Sequence, residues 1–319
     1  MSFDGHYTGV RLADLLKATT QSYSVSDKQV LAHIHDQAAN AQLAGRLLEG
    51  DATWTSEVCA AHRLQNCINK SAFTAVPNLE KVLAVCRKLV AHFKHSSVKT
   101  DALLNKLKAL SKKPLKPVQD VSTRWNSVFY MLSRLLYLKV ALVSLFEDDP
   151  DFAEVTLLML TSQQWDIIKN MADVLEVIEV ATTQLSGEQY PTMSLVLLLV
   201  FGLRSQLADN EEASDQGVVS SFKESFRTQL TQRFSLDDLV LSSLPILCSA
   251  LDPRFRSLSF LTLTEREEVK QTLIEMMEDR SQALVMSLPG KRARKTSSLH
   301  CYTDGVKKTQ MRRGAMMQR

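Results

Sequence analysis

The sequence has few cysteine, glycine and proline residues and no long uninterrupted apolar segment. Five cysteines in 319 residues, without paired spacing, exclude a disulfide-stabilised secreted scaffold and favour a reducing compartment. Ten glycines and eight prolines beside 45% hydrophobic residues exclude collagen-like and disordered chains. The longest apolar run, residues 194–203, is half of the roughly 20 residues that a membrane-spanning helix needs. We therefore expect a globular protein without a membrane segment, and the polar N-terminus predicts no secretion signal.

Charge is unevenly distributed, although the net charge is only +3. Residues 290–319 carry nine basic residues and one acid, whereas the preceding 289 residues carry 29 basic and 34 acidic residues. The basic segment has no apolar periodicity, and we predict that it is disordered. It contains a cluster typical of phosphate binding or nuclear import, with a solvated tail that has no partner as the alternative. The cluster consists of Lys291, Arg292, Arg294 and Lys295.

Hydrophobic periodicity predicts one strand and two flanking helices near the N-terminus. Residues 29–36 (QVLAHIHD) alternate with the two-residue period of a strand, which places Asp36 at its carboxyl end. Helices are predicted at residues 9–19 and 38–49, the second ending at Gly50. Helix, strand and helix in succession are typical of an α/β fold.

The rest of the chain is predicted to be helical, because its apolar residues recur at three- and four-residue spacing. A proline-containing linker, residues 112–118 (KKPLKPV), divides the helices into two groups. Thr264 and Glu267 predict a capping box at the start of the last helix. The predicted helices are residues 59–73, 79–93, 101–110, 125–146, 163–185, 193–207, 218–234 and 265–285.

Four short motifs occur in a characteristic order. They are Asp36-Gln37, Cys59-Ala60-Ala61-His62 preceded by Trp54, Arg124-Trp125, and Leu251-Asp252-Pro253-Arg254-Phe255. Each is weak alone. Together, and with the N-terminal His6-Tyr7-Thr8-Gly9, they resemble the catalytic region of hAT-superfamily transposases, and more closely the zinc finger BED domain-containing proteins derived from them. The resemblance covers about residues 1–285.

The resemblance implies an α/β plus mostly α fold, in which a partial ribonuclease-H-like core is followed by a large helical insertion domain. We expect residues 1–111 to form the partial core, 112–123 a linker, 124–288 the insertion domain and 289–319 the basic tail. The BED finger is not in this sequence, and we expect the chain to be a fragment of the family's full length.

Active relatives use two Asp and one Glu to hold two divalent metals, and Asp36 matches one of these positions as a vestigial metal-binding carboxylate. The alternative is that Asp36 caps the helix beginning near Ala38. The other Asp is expected upstream of the sequence, and nothing singles out the Glu among Glu265, Glu267, Glu268 and Glu275. A lone carboxylate cannot hold two metals, so we expect no cofactor in this form, and Mg or Mn only if the parent is an active transposase.

Two further pairs have both a functional and a structural interpretation. Cys59 and His62 are possible zinc ligands, but a structural zinc site needs four ligands, and the resemblance makes the pair a core motif. Arg124 and Trp125 are predicted DNA contacts, since the resemblance implies an aromatic that stacks on an unpaired base. The alternative is a buried Trp125 that anchors the first insertion helix.

Several other side chains are given structural roles from the sequence. Trp165 is predicted to lie in the core, His33 and His35 to satisfy local hydrogen bonds, and Arg254 to pair with Asp252 or a backbone carbonyl. Cys67 and Cys86 are predicted to be buried, as free cysteines on apolar helix faces behave as small hydrophobes.

These features predict a catalytically inactive hAT transposase-derived nuclear protein, a DNA-associated or protein-interaction module with a role in transcription regulation. One alternative is a fragment of an active two-metal transposase, and another is a helical scaffold with no nucleic-acid role. The partners expected are DNA and nuclear proteins, with no membrane, and the resemblance implies a dimeric parent.

Overall fold

The computed structural model describes residues 8–52, 54–69, 73–121, 124–148, 159–209 and 217–287. The predicted DNA-contact cluster Lys291, Arg292, Arg294 and Lys295 lies outside these residues, as do His6 and Tyr7. The chain divides into two compact units, Met1–Val269 and Lys270–Arg319.

The described chain is mostly helical, with one small sheet of two parallel strands. The strands are β1 (Ala32–His35) and β2 (Thr55–Val58). The helices are α1 (Gly9–Ser22), α2 (Ala39–Ala52), α3 (Ala60–Cys67), α4 (Phe73–Ala75), α5 (Pro77–Lys94), α6 (Ser97–Ala109), α7 (Trp125–Asp148), α8 (Ser162–Leu185), α9 (Val196–Asp209), α10 (Val218–Phe234), α11 (Leu244–Leu251) and α12 (Leu263–Ser287).

The sheet is a β-α-β unit in which α2 connects the two strands. Ala32 pairs with Thr55 and His35 with Val58. The α/β expectation for the N-terminal part is therefore confirmed at the level of this unit. A small core joins α1 and α2 beneath it, formed by Ala13, Ala44, Leu48, Ala52 and Trp54. Strand β2 was not predicted, because its sequence TSEV is short and polar and has no apolar alternation.

Several predicted helix boundaries differ from the structure, and α6 begins four residues before its predicted start. Helix α2 continues through Gly50 to Ala52, because Gly50 keeps a helical conformation and does not form a left-handed cap. The helix predicted at residues 59–73 ends at Cys67. The capping box of α12 lies two residues earlier than predicted: Thr262 N donates to Glu265 Oε2 at 2.7 Å, and Glu265 N to Thr262 Oγ1 at 3.3 Å.

Helix α7 is the most apolar long helix in the described part of the chain. Its segment Trp125–Glu147, of mean hydropathy 1.6, is the one described segment long and apolar enough to cross a membrane. It packs against α6 and α8, and Met131, Leu135 and Leu138 are buried. A core helix that is covered on two sides is as apolar as a membrane-spanning helix, and the packing against α6 and α8 favours a core helix.

The proline-containing linker lies along α7. The chain turns at Ser111, whose φ is 54°, and residues 112–121, here named the strap, run antiparallel to the helix. Tyr137 Oη donates to Lys113 O at 3.0 Å, Arg134 Nη1 to Lys116 O at 2.5 Å, and Val121 N to Ser127 Oγ at 2.7 Å. The strap is thus hydrogen-bonded to α7 at three points along the helix.

Candidate functional site: the sheet edge, the cavity at Arg124 and the Asp252 cluster

Asp36 and Cys59 lie at the same edge of the sheet, because each directly follows one of two parallel strands. Cys59 N donates to His35 O at 2.7 Å, which continues the strand pairing. Asp36 is exposed, and its Oδ1 accepts a hydrogen bond from Ala38 N at 3.0 Å, just before α2 begins. Its carboxylate therefore has the structural role of organising the helix start.

Cys59 and His62 begin helix α3 on that edge. Cys59 occupies the N-cap position but makes no side-chain capping hydrogen bond. Asn66 of α3 donates to Gln37 Oε1, which joins the Asp36 loop to α3. Among the described residues, no three His, Cys, Asp or Glu side chains lie close enough together to hold a metal ion.

The other cysteines of this region are buried, as predicted. Cys67 and Cys86 are fully buried, and burial raises the pKa of each thiol to about 12. Such thiols stay protonated at neutral pH, so they pack as small hydrophobic groups.

His35 connects the two strands. Its Nε2 lies 3.0 Å from Ser56 Oγ and its Nδ1 contacts Asp36 O, which confirms the predicted local hydrogen bonding. His33 stacks on His35 with ring centroids 5.2 Å apart, but its buried Nδ1 has no hydrogen-bond partner. Burial, and secondarily His35, lower the pKa of His33, so that it remains neutral at physiological pH. The prediction was wrong for this nitrogen.

A cavity of about 730 Å³ lies between α5, the end of the strap and the start of α7. Arg124 and Trp125 both line it. The Trp125 side chain is only 2% exposed, so in this structure it anchors the beginning of α7, as the structural alternative predicted. Arg124 is exposed, and its contact with DNA stays a prediction.

One wall of this cavity carries a compact ion network. Arg87 Nε donates to Asp120 Oδ2 at 2.8 Å, and its Nη1 to Glu80 Oε1 at 2.5 Å. Burial opposes the charge on Arg87, but the hydrogen bonds to the two carboxylates outweigh it and raise the pKa. The Asp120 side chain is 3% exposed, and its negative charge is balanced by the paired Arg87. Asp120 therefore adds little negative charge to the protein surface. No sequence signal links Arg87 with Asp120, which are 33 residues apart.

The Asp252 cluster forms where α11 ends. Arg254 Nε donates to Asp252 Oδ1 at 3.0 Å, and its Nη2 to Oδ2 at 2.7 Å, which confirms the predicted pairing. Ser194 Oγ donates to Asp252 Oδ2 at 2.8 Å, and the buried Ser249 donates to Ser194 O at 2.8 Å. The hydrogen bonds from Arg254, joined by Ser194, lower the pKa of Asp252 far below its usual value. Sequence reasoning missed both serines, since a single serine carries no pattern.

Comparison with known proteins finds relatives of the kind that these motifs resemble. Residues 58–174 match the family model of the ZBED1 RNase-like helical domain. The chain is 28% identical over 244 residues to zinc finger BED domain-containing protein 4 of Homo sapiens, covering 75% of this chain and 19% of that protein. It is 26% identical over 204 residues to the "Putative AC transposase" of Zea mays, covering 60% and 24% respectively. A third match is zinc finger BED domain-containing protein 6 of Homo sapiens, 27% identical over 210 residues, covering 65% and 21%.

The chain is therefore similar to hAT transposases and to proteins derived from them. Among these relatives are zinc finger BED domain-containing proteins, so the resemblance predicted from the motifs is confirmed. The chain spans about a fifth of the length of these relatives, between 19% and 24%. The region matched by the family model contains Cys59, His62, the strap, Arg124 and Trp125. Asp36 and Asp252 lie outside it.

Proposed function

We propose that this chain is a catalytically inactive, hAT transposase-derived nuclear protein that acts as a DNA-associated or protein-interaction module in transcription regulation. One observation carries the proposal: the motif residues that the chain shares with transposases make contacts that hold the fold. Asp36 accepts the hydrogen bond at the start of α2, Trp125 is buried in the core, and Asp252 pairs with Arg254.

The proposal extends to the fold of the N-terminal part. We assign the β1-α2-β2 unit and the Cys59-x-x-His62 motif to a ribonuclease-H-like core, and the helices from α7 onward to an insertion domain. The parallel pairing of β1 and β2 supports this assignment, since parallel strands joined through a helix are the building unit of such cores.

The described residues do not fit a two-metal group. Mg²⁺ and Mn²⁺ need several oxygen ligands, and in the described part of the chain Asp36 belongs to no group of three or more His, Cys, Asp or Glu residues that could hold a metal ion. Cys59 and His62 are better suited to zinc, but they supply only two ligands. We therefore assign no cofactor-dependent step to this chain.

The loss of catalysis is tested by a strand-cleavage assay. The purified chain, incubated with transposon-end DNA and Mg²⁺ or Mn²⁺, is expected to leave the DNA intact, and the Asp36→Asn variant is expected to behave in the same way. Cleavage that Asp36→Asn abolishes would contradict the proposal and favour a fragment of an active transposase.

Localisation is tested separately with a fluorescent fusion, which we expect to accumulate in the nucleus and to lose that accumulation when residues 290–319 are removed.

A further inference from the structure

A strongly basic region lies within the folded part of the chain, apart from the basic tail. Residues 81–139 contain 13 Lys and Arg and two Asp, whereas residues 140–289 contain 10 Lys and Arg and 24 Asp and Glu. The first region comprises α5 after its first turn, α6, the strap and half of α7. Of its two acids, Asp120 is covered and paired with Arg87, which leaves Asp101 as the one exposed acid of that region.

The sequence of the strap favours a regular extended conformation. Lys113 and Lys116 each precede a proline, and a residue before proline is restricted to extended conformations. Prolines 114 and 117 themselves have φ near −65° and no N–H to satisfy. These restraints favour the polyproline-II conformation, which has three residues per turn and rises about 3.1 Å per residue; in that conformation the side chains of Lys113 and Lys116 lie on the same side, about 9 Å apart.

Contacts with α7 fix which side the lysines face. The carbonyl oxygens of Lys113 and Lys116 accept the hydrogen bonds from Tyr137 and Arg134 described above, so the backbone of both residues is bound to the helix. Both lysine side chains are exposed. Lys112 is held differently, with its Nζ 5.3 Å from the centre of the Tyr137 ring. Lys108, at the end of α6 where the strap begins, is also exposed.

We infer that the strap on α7 is a binding surface for the phosphate backbone of duplex DNA, independent of base sequence. This inference rests on the proposed DNA association and names the surface that performs it, one distinct from the tail cluster and from Arg124-Trp125. Exposed lysines on a strap that runs along a helix form an extended positive surface, which suits the extended array of phosphates on a duplex, and a strap bonded to the helix lowers the entropy lost on binding. A compact acidic peptide or an anionic membrane gains nothing specific from that linear arrangement.

The test uses the whole chain, a chain lacking residues 290–319, and charge-removing variants of each. The affinity for a 24-base-pair duplex of arbitrary sequence is measured by fluorescence anisotropy across a salt series. The double variant Lys113→Gln, Lys116→Gln keeps both prolines and both bonded carbonyls. The matched control is Lys28→Gln, Lys169→Gln, which removes two exposed charges elsewhere.

We expect the tail-deleted chain to bind the duplex, and the strap variant to weaken this binding by at least about tenfold near 0.1 M salt. The slope of log affinity against log salt should fall by about one for each lysine removed, while the control variant changes neither quantity. Unchanged thermal unfolding of the strap variant shows that the fold is intact.

Each other result has a defined meaning. If the whole chain binds DNA but the tail-deleted chain does not, or if strap and control variants weaken binding equally, the strap inference is wrong and the proposed DNA association stands. If the whole chain does not bind DNA at any salt concentration, both are wrong. Strap-dependent binding of polyglutamate or phosphatidylserine vesicles, without binding of DNA, would also overturn the inference.

Discussion

Asp252, at the end of α11, accepts hydrogen bonds from its near neighbour Arg254 and from the distant Ser194, so one carboxylate joins two parts of the chain. The pairing with Arg254 was predictable because the two residues are neighbours in a turn around Pro253. The contact with Ser194 was not, since it depends on how the short turn at Met193–Leu195, just before α9, packs on α11. The position of Trp125 could not be predicted either. The sequence allowed both a buried and a base-stacking tryptophan, and only the packing of α7 shows that it is buried.

Replacement of Asp252 by Asn is expected to destabilise the protein in a pH-dependent way. The pKa of Asp252 is lowered in the folded state, so the folded protein favours the charged form, and the stabilisation is present above the unfolded value of about 3.8. It is lost progressively as the pH falls below that value. The urea unfolding midpoints of wild type and Asp252→Asn should therefore differ at pH 7, and the difference should shrink as the pH falls from about 4 to 2.

The control for this experiment is Asp173→Asn, which removes a carboxylate that is 64% exposed and pairs with Lys169 on the same helix. It should change the midpoint little at any pH. A difference between wild type and Asp252→Asn that is constant from pH 7 to pH 2 would show that the charge of Asp252 is not the source of its effect.

At the scale of elements, periodicity predicts the long helices well, since α5, α7, α8 and α10 begin and end within three residues of their predicted bounds. It fails where an element is short or polar. Strand β2 has four residues and gains its conformation from pairing with β1, and α11 has eight. Gly50 was predicted to end α2, but a glycine followed by Asp51 and Ala52 offers no signal for whether the backbone turns or continues.

The two glycines of α2 give a matched pair of substitutions. A side chain at Gly50 would meet no atom within 4 Å, whereas a Cβ at Gly45 would overlap Ser56 Oγ and lie 3.1 Å from Ser56 Cβ. Gly50→Ala should therefore raise the free energy of unfolding by about 0.5–1 kcal/mol through helix propensity. Gly45→Ala should lower it by about 1–3 kcal/mol through overpacking against β2. Denaturant unfolding measures both, and stabilisation by both would contradict the packing of α2 on the strands.

At the scale of the whole molecule, the charges separate into blocks that a net value of +3 conceals. The order of the motifs was enough to predict the resemblance to hAT transposases, and strand β1, helix α2 and the helical remainder followed from periodicity, whereas strand β2 did not. Counting charge over the first 289 residues gave a mildly acidic body, and this average hid the basic block of residues 81–139. Which carbonyls of the strap are bonded to α7 could not be predicted, because these contacts are fixed by tertiary packing.

The two halves of the described chain should differ in local stability. The sheet has two strands in the described residues, and the core beneath it is made mainly of alanines and two larger side chains, whereas α7 and α8 bury long rows of apolar residues against each other. We expect amide hydrogens from Arg124 onward to exchange more slowly than those of residues 8–60. Hydrogen exchange followed by mass spectrometry reports this directly, and equal protection in both halves would show the expectation to be wrong.

The contact between Ser194 and Asp252 also bears on the order of folding. It closes a loop of 58 residues, and its partner from Ser249 to Ser194 closes one of 55. The entropy cost of closing a flexible loop grows with its length. Once α9 and α10 have packed, less flexible chain separates Ser194 from Asp252, so we expect this contact to form after those helices. Late contacts leave the refolding rate unchanged and slow unfolding. In the Asp252→Asn variant, the lost stability should therefore appear almost entirely as faster unfolding.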